Sequence, residues 1–114
     1  DIVLDMVAAG AVGWISGFVN AFPRESVAMF HAAREGRERE ARALFDWFAP
    51  ILALDSRPTL VQCLKLVASL QGRGTAAVRG PRLAMDDAEA REVAGIVEAA
   101  MASRPALAEP AAAE

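Results

Sequence analysis

The chain has 114 residues, 54% of them hydrophobic and 24% charged, which is room for one small globular domain. A net charge of -3, with no basic stripe and no interleaved aromatics, excludes a nucleic-acid partner. The single cysteine, Cys63, cannot close an internal disulfide and fits a reducing, cytoplasmic setting. One His, one Cys and no carboxylates at ligand spacing leave no metal set, and no cofactor is expected.

The first residue is Asp1, and no Lys or Arg precedes the apolar start, so a secretory signal is not expected. Residues 6–23 carry no charge. A membrane-spanning helix needs roughly 20 predominantly apolar residues. This run holds Gly10, Gly13, Ser16, Gly17 and Asn20 and stops at Pro23, so it reads as buried core and no membrane partner is expected.

In chain order, residues 2–9 read as a short helix, with Ile2, Val3, Met6 and Val7 on one face and Gly10 as its stop. Residues 12–16 form a continuous apolar run, the pattern of a strand buried on both faces. Pro23 suits the first turn of a helix running to about Glu35, with Val27, Phe30 and Ala33 on its apolar face and Gly36 after it. Residues 37–54 read as a longer helix. Ala41, Leu44, Phe45, Phe48, Ile51 and Leu52 make its core face, and Pro50 should kink it.

Asp55 or Ser56 is placed to cap a helix over residues 58–70, with Leu60, Val61, Leu64 and Val67 as its stripe. Residues 71–85, with their Gly-Arg steps and Pro81, read as loop. Asp86 and Asp87 offer an N-cap for a last helix to about Met101, striped by Ala90, Val93, Ala94, Val97 and Met101. Residues 104–114 are an Ala/Pro/Glu tail expected to be disordered. A lone strand would leave its backbone groups buried without partners. The chain is therefore expected to be part of something larger.

Several segments, in order and at matching spacing, resemble one enzyme family. These are Ala-Ala-Gly-Ala-Val-Gly-Trp-Ile-Ser-Gly at 8–17, then Asn20 and Pro23, Phe30-His31-Ala32-Ala33-Arg34-Glu35-Gly36, Ala41-Arg42-Ala43-Leu44, and Trp47-Phe48-Ala49-Pro50. The helix start Arg57-Pro58-Thr59-Leu60-Val61 and the loop Val78-Arg79-Gly80-Pro81-Arg82-Leu83 continue the likeness. The chain is similar to the C-terminal part of the dihydrodipicolinate synthase / N-acetylneuraminate lyase family. That resemblance implies an α/β fold. Residues 1–36 would be the last βα portion of a (β/α)8 TIM barrel, residues 37–103 a three-helix C-terminal extension, and 104–114 a disordered tail. As an isolated chain it would be mostly helical.

The resemblance implies a lysine Schiff-base lyase acting on a small 2-oxo or imino acid, with an imine as electron sink. The catalytic lysine and an assisting tyrosine would lie on earlier strands. Such barrels need roughly 250 residues, so about 190 upstream residues are expected. The residues that would contact substrate are Ile15, whose backbone matches the position facing the bound 2-oxo acid, and its neighbours Gly13, Ser16 and Gly17. Small residues there let the backbone approach a ligand. Asp1 matches an acidic substrate contact of the sialic-acid branch, though an N-cap reads it equally. Gly17 stands where that branch has a serine, which argues against a sialic-acid substrate. The wording around residues 14–17 and 57–66 looks most like the branch that deaminates 1-pyrroline-4-hydroxy-2-carboxylate to 2-oxoglutarate semialdehyde. The 2-keto-3-deoxy acid aldolases and dehydratases, and dihydrodipicolinate synthase itself, are the alternatives within the family. The full enzyme is expected to be a homotetramer, a dimer of dimers.

The remaining chemical candidates read as structural. His31 lacks an orienting partner. Cys63 sits on an amphipathic helix, and Trp14 and Trp47 read as packing. Lys65 is the only lysine, but the resemblance puts it in the helical extension rather than the barrel interior. Glu35 with Arg39 and Glu38 with Arg42 are expected as i, i+4 pairs on a solvated face. Arg73, Arg79 and Arg82 lie in a loop without a phosphate-cradling glycine pattern. The isolated fragment is expected to be inactive and poorly soluble, exposing its strand and the inner face of the 37–54 helix. The reading from another class is a free-standing helical interaction domain without catalysis.

Overall fold

The computed structural model describes residues 2–107. Five helices carry the fold: α1 (Val3–Ala8), α2 (Pro23–Arg34), α3 (Glu38–Leu52), α4 (Leu60–Leu70) and α5 (Asp87–Ala102). Short 3-10 turns, Gly17–Asn20 and Ala53–Ser56, lie between α1 and α2 and between α3 and α4.

Local chemistry sets the breaks. Pro23 opens α2 at a position whose N–H has no intrahelical partner. Gly36 takes φ +73 after α2, a left-handed conformation that costs glycine little, and Arg37 N–H then donates back to Ala32 O at 2.9 Å. Asp86 caps α5, its Oδ1 accepting from Glu89 N–H at 2.8 Å. Asp86→Ala should cost about 1 kcal/mol of stability, read in a denaturant titration. No measurable loss would remove the cap from the account.

α3 packs against α2 and α5 and buries Ala41, Leu44, Phe48, Ile51 and Leu52. Its inner face is therefore covered by the chain itself, contrary to the expected exposed patch. The aromatic centre of the core is Phe22, Trp47 and Phe48. Phe22 meets Phe48 edge-on at 5.5 Å, and Trp47 stacks on Phe48 at 5.4 Å. The Trp47 indole N–H donates to Ala100 O at 2.8 Å, fixing α3 to the end of α5. α4 packs against α5, and Cys63 and Val67 of α4 and Val93 and Val97 of α5 are buried in the same core.

Several expectations need correction. Residues 11–16 form no strand, because a strand needs a laddered neighbour and none exists among the described residues. α2 buries Glu25, Ser26, Met29 and Ala32, while Val27 is exposed. Ser26 is tolerated in the core because its hydroxyl donates to Phe22 O at 2.7 Å. Neither Asp55 nor Ser56 caps α4. Both belong to the 3-10 turn that continues α3, and α4 starts at Leu60 after Thr59. Pro50 sits in the last turn of α3, so the helix runs on for two residues before tightening. Glu35 falls outside both α2 and α3, so it cannot pair with Arg39 across one helix turn. Arg37 takes Glu35 and Glu40 instead, and Glu38–Arg42 does not form among the described residues.

The tail is ordered at its start. Arg104 pairs with Glu25, and Leu107 packs on the core. Residues 108–114 lie outside the described residues.

Candidate functional site

The segment from Gly13 to Gly17 runs along α2 and above α4 without laddered partners. Ser16 is extended, with φ -128 and ψ 136. Trp14 packs against the core, while Val12 is 80% exposed and Ile15 fully exposed. Val12 and Trp14, two residues apart, face opposite ways, so the segment does not keep the strict alternation of a regular strand.

Two anchors fix its ends. The Arg34 guanidinium reaches the Val12 carbonyl at 3.4 Å from the last turn of α2. The Asn20 amide donates to Gly17 O at 2.9 Å and closes the 3-10 turn. Gly17 lies close against α4: a Cβ there would stand 2.8 Å from Leu64 Cδ2, and the end of the Leu64 side chain would have to turn aside to admit it. Gly13 would meet nothing within 4 Å, so the space beside it is open. The Ser16 hydroxyl is buried and has no hydrogen-bond partner among the described residues. A buried unpaired hydroxyl is unfavourable and marks a missing donor or acceptor. A small hollow of about 280 Å³ lies beside the segment, lined by Gly13, Trp14, Ser26, Phe30 and His31.

Gly13, Ile15, Ser16 and Gly17 thus form one continuous segment, and Asp1 lies outside the described residues. Arg34, at the end of α2, and Leu64, in the apolar stripe of α4, also shape this segment. Arg34 was hidden because its contact spans 22 residues to a backbone carbonyl, which no side-chain pattern records.

Residues 1–100 match the Dihydrodipicolinate synthetase family. The chain belongs to that family. No curated protein and no solved structure matches it. Membership in the dihydrodipicolinate synthetase family places the chain among lyases of the TIM-barrel class, and its helix-rich architecture is compatible with a part of such a barrel.

The other candidate groups stand apart from the segment's outward face. Lys65 follows Leu64 on α4, so its side chain leaves the helix about 100° round from the one that meets Gly17. His31 is on the surface, 3.9 Å from Glu35. Cys63 is fully buried, and burial pushes its thiol up from the ordinary range. Because the thiolate is the reactive form, alkylation of Cys63 at pH 8 should be slower in the native chain than in the unfolded one by about 100-fold or more. Equal rates would place the thiol at the surface. The same shift has a sign for stability. The folded pKa lies above the unfolded one, so its contribution is intact below the usual thiol pKa and fades as pH rises through the folded value. No group of His, Cys, Asp and Glu that could hold a metal occurs among the described residues, and no helix there is long and apolar enough to cross a membrane.

A polar cluster ties the turn before α4 to α5. Arg57 donates to Glu92 at 2.6 Å, and the Thr59 hydroxyl donates to Glu89. The Arg57 hydrogen bond holds the Glu92 carboxyl below its usual range. These side chains are satisfied by one another, and their arrangement is that of an interhelix clamp.

Proposed function

We propose that this chain supplies the closing strand, the last barrel helix and the helical extension of a lysine Schiff-base lyase. The enzyme would act on a small 2-oxo or imino acid. In this reading residues 12–17 become the last strand of the barrel once neighbouring strands pair with it. Residues 1–36 are then the last βα portion and residues 37–103 the extension. The observation that carries the reading is the unladdered segment 12–16, with Val12 and Ile15 exposed and the Ser16 hydroxyl buried without a hydrogen-bond partner among the described residues. Such a segment is unfavourable alone and becomes satisfied when strands flank it.

The chemistry assigned to this chain is positional. The imine acts as electron sink and belongs to a lysine elsewhere in the enzyme, as does the proton-transferring tyrosine. This chain contains no tyrosine, and its one lysine is on α4. The backbone at Ile15, with Gly13 and Gly17 beside it, forms a wall along the bound acid. Barrel enzymes place such walls at the C-terminal ends of strands. The favoured reaction is deamination of 1-pyrroline-4-hydroxy-2-carboxylate to 2-oxoglutarate semialdehyde, in a cytoplasmic homotetramer without a cofactor. The alternatives within the family are 2-keto-3-deoxy acid aldolase or dehydratase activity and dihydrodipicolinate synthesis. The test is a substrate panel on the enzyme carrying this chain. Release of the pyrroline ring nitrogen as ammonia, with no turnover of 2-keto-3-deoxy acids, is the expected result. Aldol cleavage instead would move the enzyme to a sister branch.

A further inference from the structure

Glu25 lies in the first turn of α2 and is only 1% exposed. An acidic residue at a helix start ordinarily faces solvent, where it complements the helix dipole. A buried carboxylate is tolerated only with a partner. The partner here is Arg104, 79 residues away and directly after α5, whose Nε donates to Glu25 Oε1 at 2.6 Å. Its Nη2 contacts the same oxygen. The second oxygen, Oε2, is buried and has no hydrogen-bond partner among the described residues. Both donors therefore converge on one oxygen, and the two-oxygen fork that makes such pairs strongest is not formed.

What Arg104 holds is the end of the described chain. After Arg104 N–H, which donates to Met101 O at 3.4 Å, no backbone hydrogen bond ties residues 105–107 to a described residue. They are kept in place by side chains alone, the Arg104 ion pair at one end and the apolar contact of Leu107 at the other. Below them is a groove of about 860 Å³ between α2 and α3, floored by Val27, Ala28 and Leu44 and edged by Pro105 and Leu107. Arg104 itself is exposed, with 41% of its side chain open to water, so it can leave Glu25 without unpacking the core.

We infer that residues 104–107 are a strap, latched by Glu25, that opens as a unit and uncovers the groove between α2 and α3. The inference does not depend on the reaction proposed above.

The test places a nitroxide on Ala106→Cys in a Cys63→Ala background and reads its mobility by electron paramagnetic resonance, with circular dichroism recorded on the same samples. The parent protein should show an immobilised label. Arg104→Gln and Glu25→Gln should each lower the closed-to-open ratio about tenfold, as expected for losing a charged hydrogen bond, with helix content unchanged. Arg104→Lys should fall between them and the parent. Raising the salt on the unsubstituted pair should shift the spectrum in the same direction without any substitution. An unchanged label in both Gln variants overturns the latch. So does loss of helix content in step with mobility, since the pair would then hold the fold rather than a strap.

Discussion

Phe48→Ala should lower the free energy of unfolding by about 3–5 kcal/mol, a large share of the 5–15 kcal/mol typical of a domain. Phe48 is fully buried and sits between Phe22 and Trp47. Removing its ring subtracts the transfer free energy and leaves a cavity that neither neighbour can fill, because each is held by other contacts. Phe22 meets Trp47 edge-on at 5.7 Å, and the Trp47 indole is hydrogen-bonded to Ala100. The loss should appear as an earlier urea midpoint in a tryptophan-fluorescence titration. Arg42→Ala, on the exposed face of the same helix, should move the midpoint little. A Phe48→Ala loss below 1 kcal/mol would mean that α3 does not pack as described.

Ile15→Asp separates the site from the fold. Ile15 is fully exposed, so the substitution should leave the stability of this chain nearly unchanged. If residues 13–17 wall the substrate site as proposed, the new carboxylate stands near the carboxylate of the bound 2-oxo acid. Two like charges about 4 Å apart at an effective dielectric near 20 repel by about 4 kcal/mol, which corresponds to roughly a 1000-fold loss in kcat/KM. Ile15→Val should retain most activity. An Ile15→Asp enzyme with parental turnover would remove residues 13–17 from the substrate site.

The parts of the fold legible in the sequence are those decided locally. The i, i+3, i+4 stripe of α3, Pro23 at the start of α2, Gly36 after it and Asp86 before α5 each follow from one residue type in one place. The parts that were not legible depend on distant partners. Residues 12–16 have the composition of a buried strand, but pairing is a property of neighbours, and the segment is unladdered among the described residues. Glu25 is buried in the first turn of α2, where an acid ordinarily meets water, and its partner Arg104 lies 79 residues further on. The same ion pair orders the start of a tail whose composition argued for disorder. At the candidate site, Gly13, Ile15, Ser16 and Gly17 were recognisable together because they are contiguous. The supports from Arg34 and Leu64 came from other elements and carried no sequence signature.

The central claim is that this chain is the non-catalytic wall of a Schiff-base site. Borohydride trapping tests it most directly. The enzyme carrying this chain is incubated with pyruvate, reduced, digested and mapped by mass spectrometry. The account predicts a reduced adduct on a lysine other than Lys65, lost when Ile15 is replaced by Asp. An adduct on Lys65, or no adduct on any lysine, would contradict it.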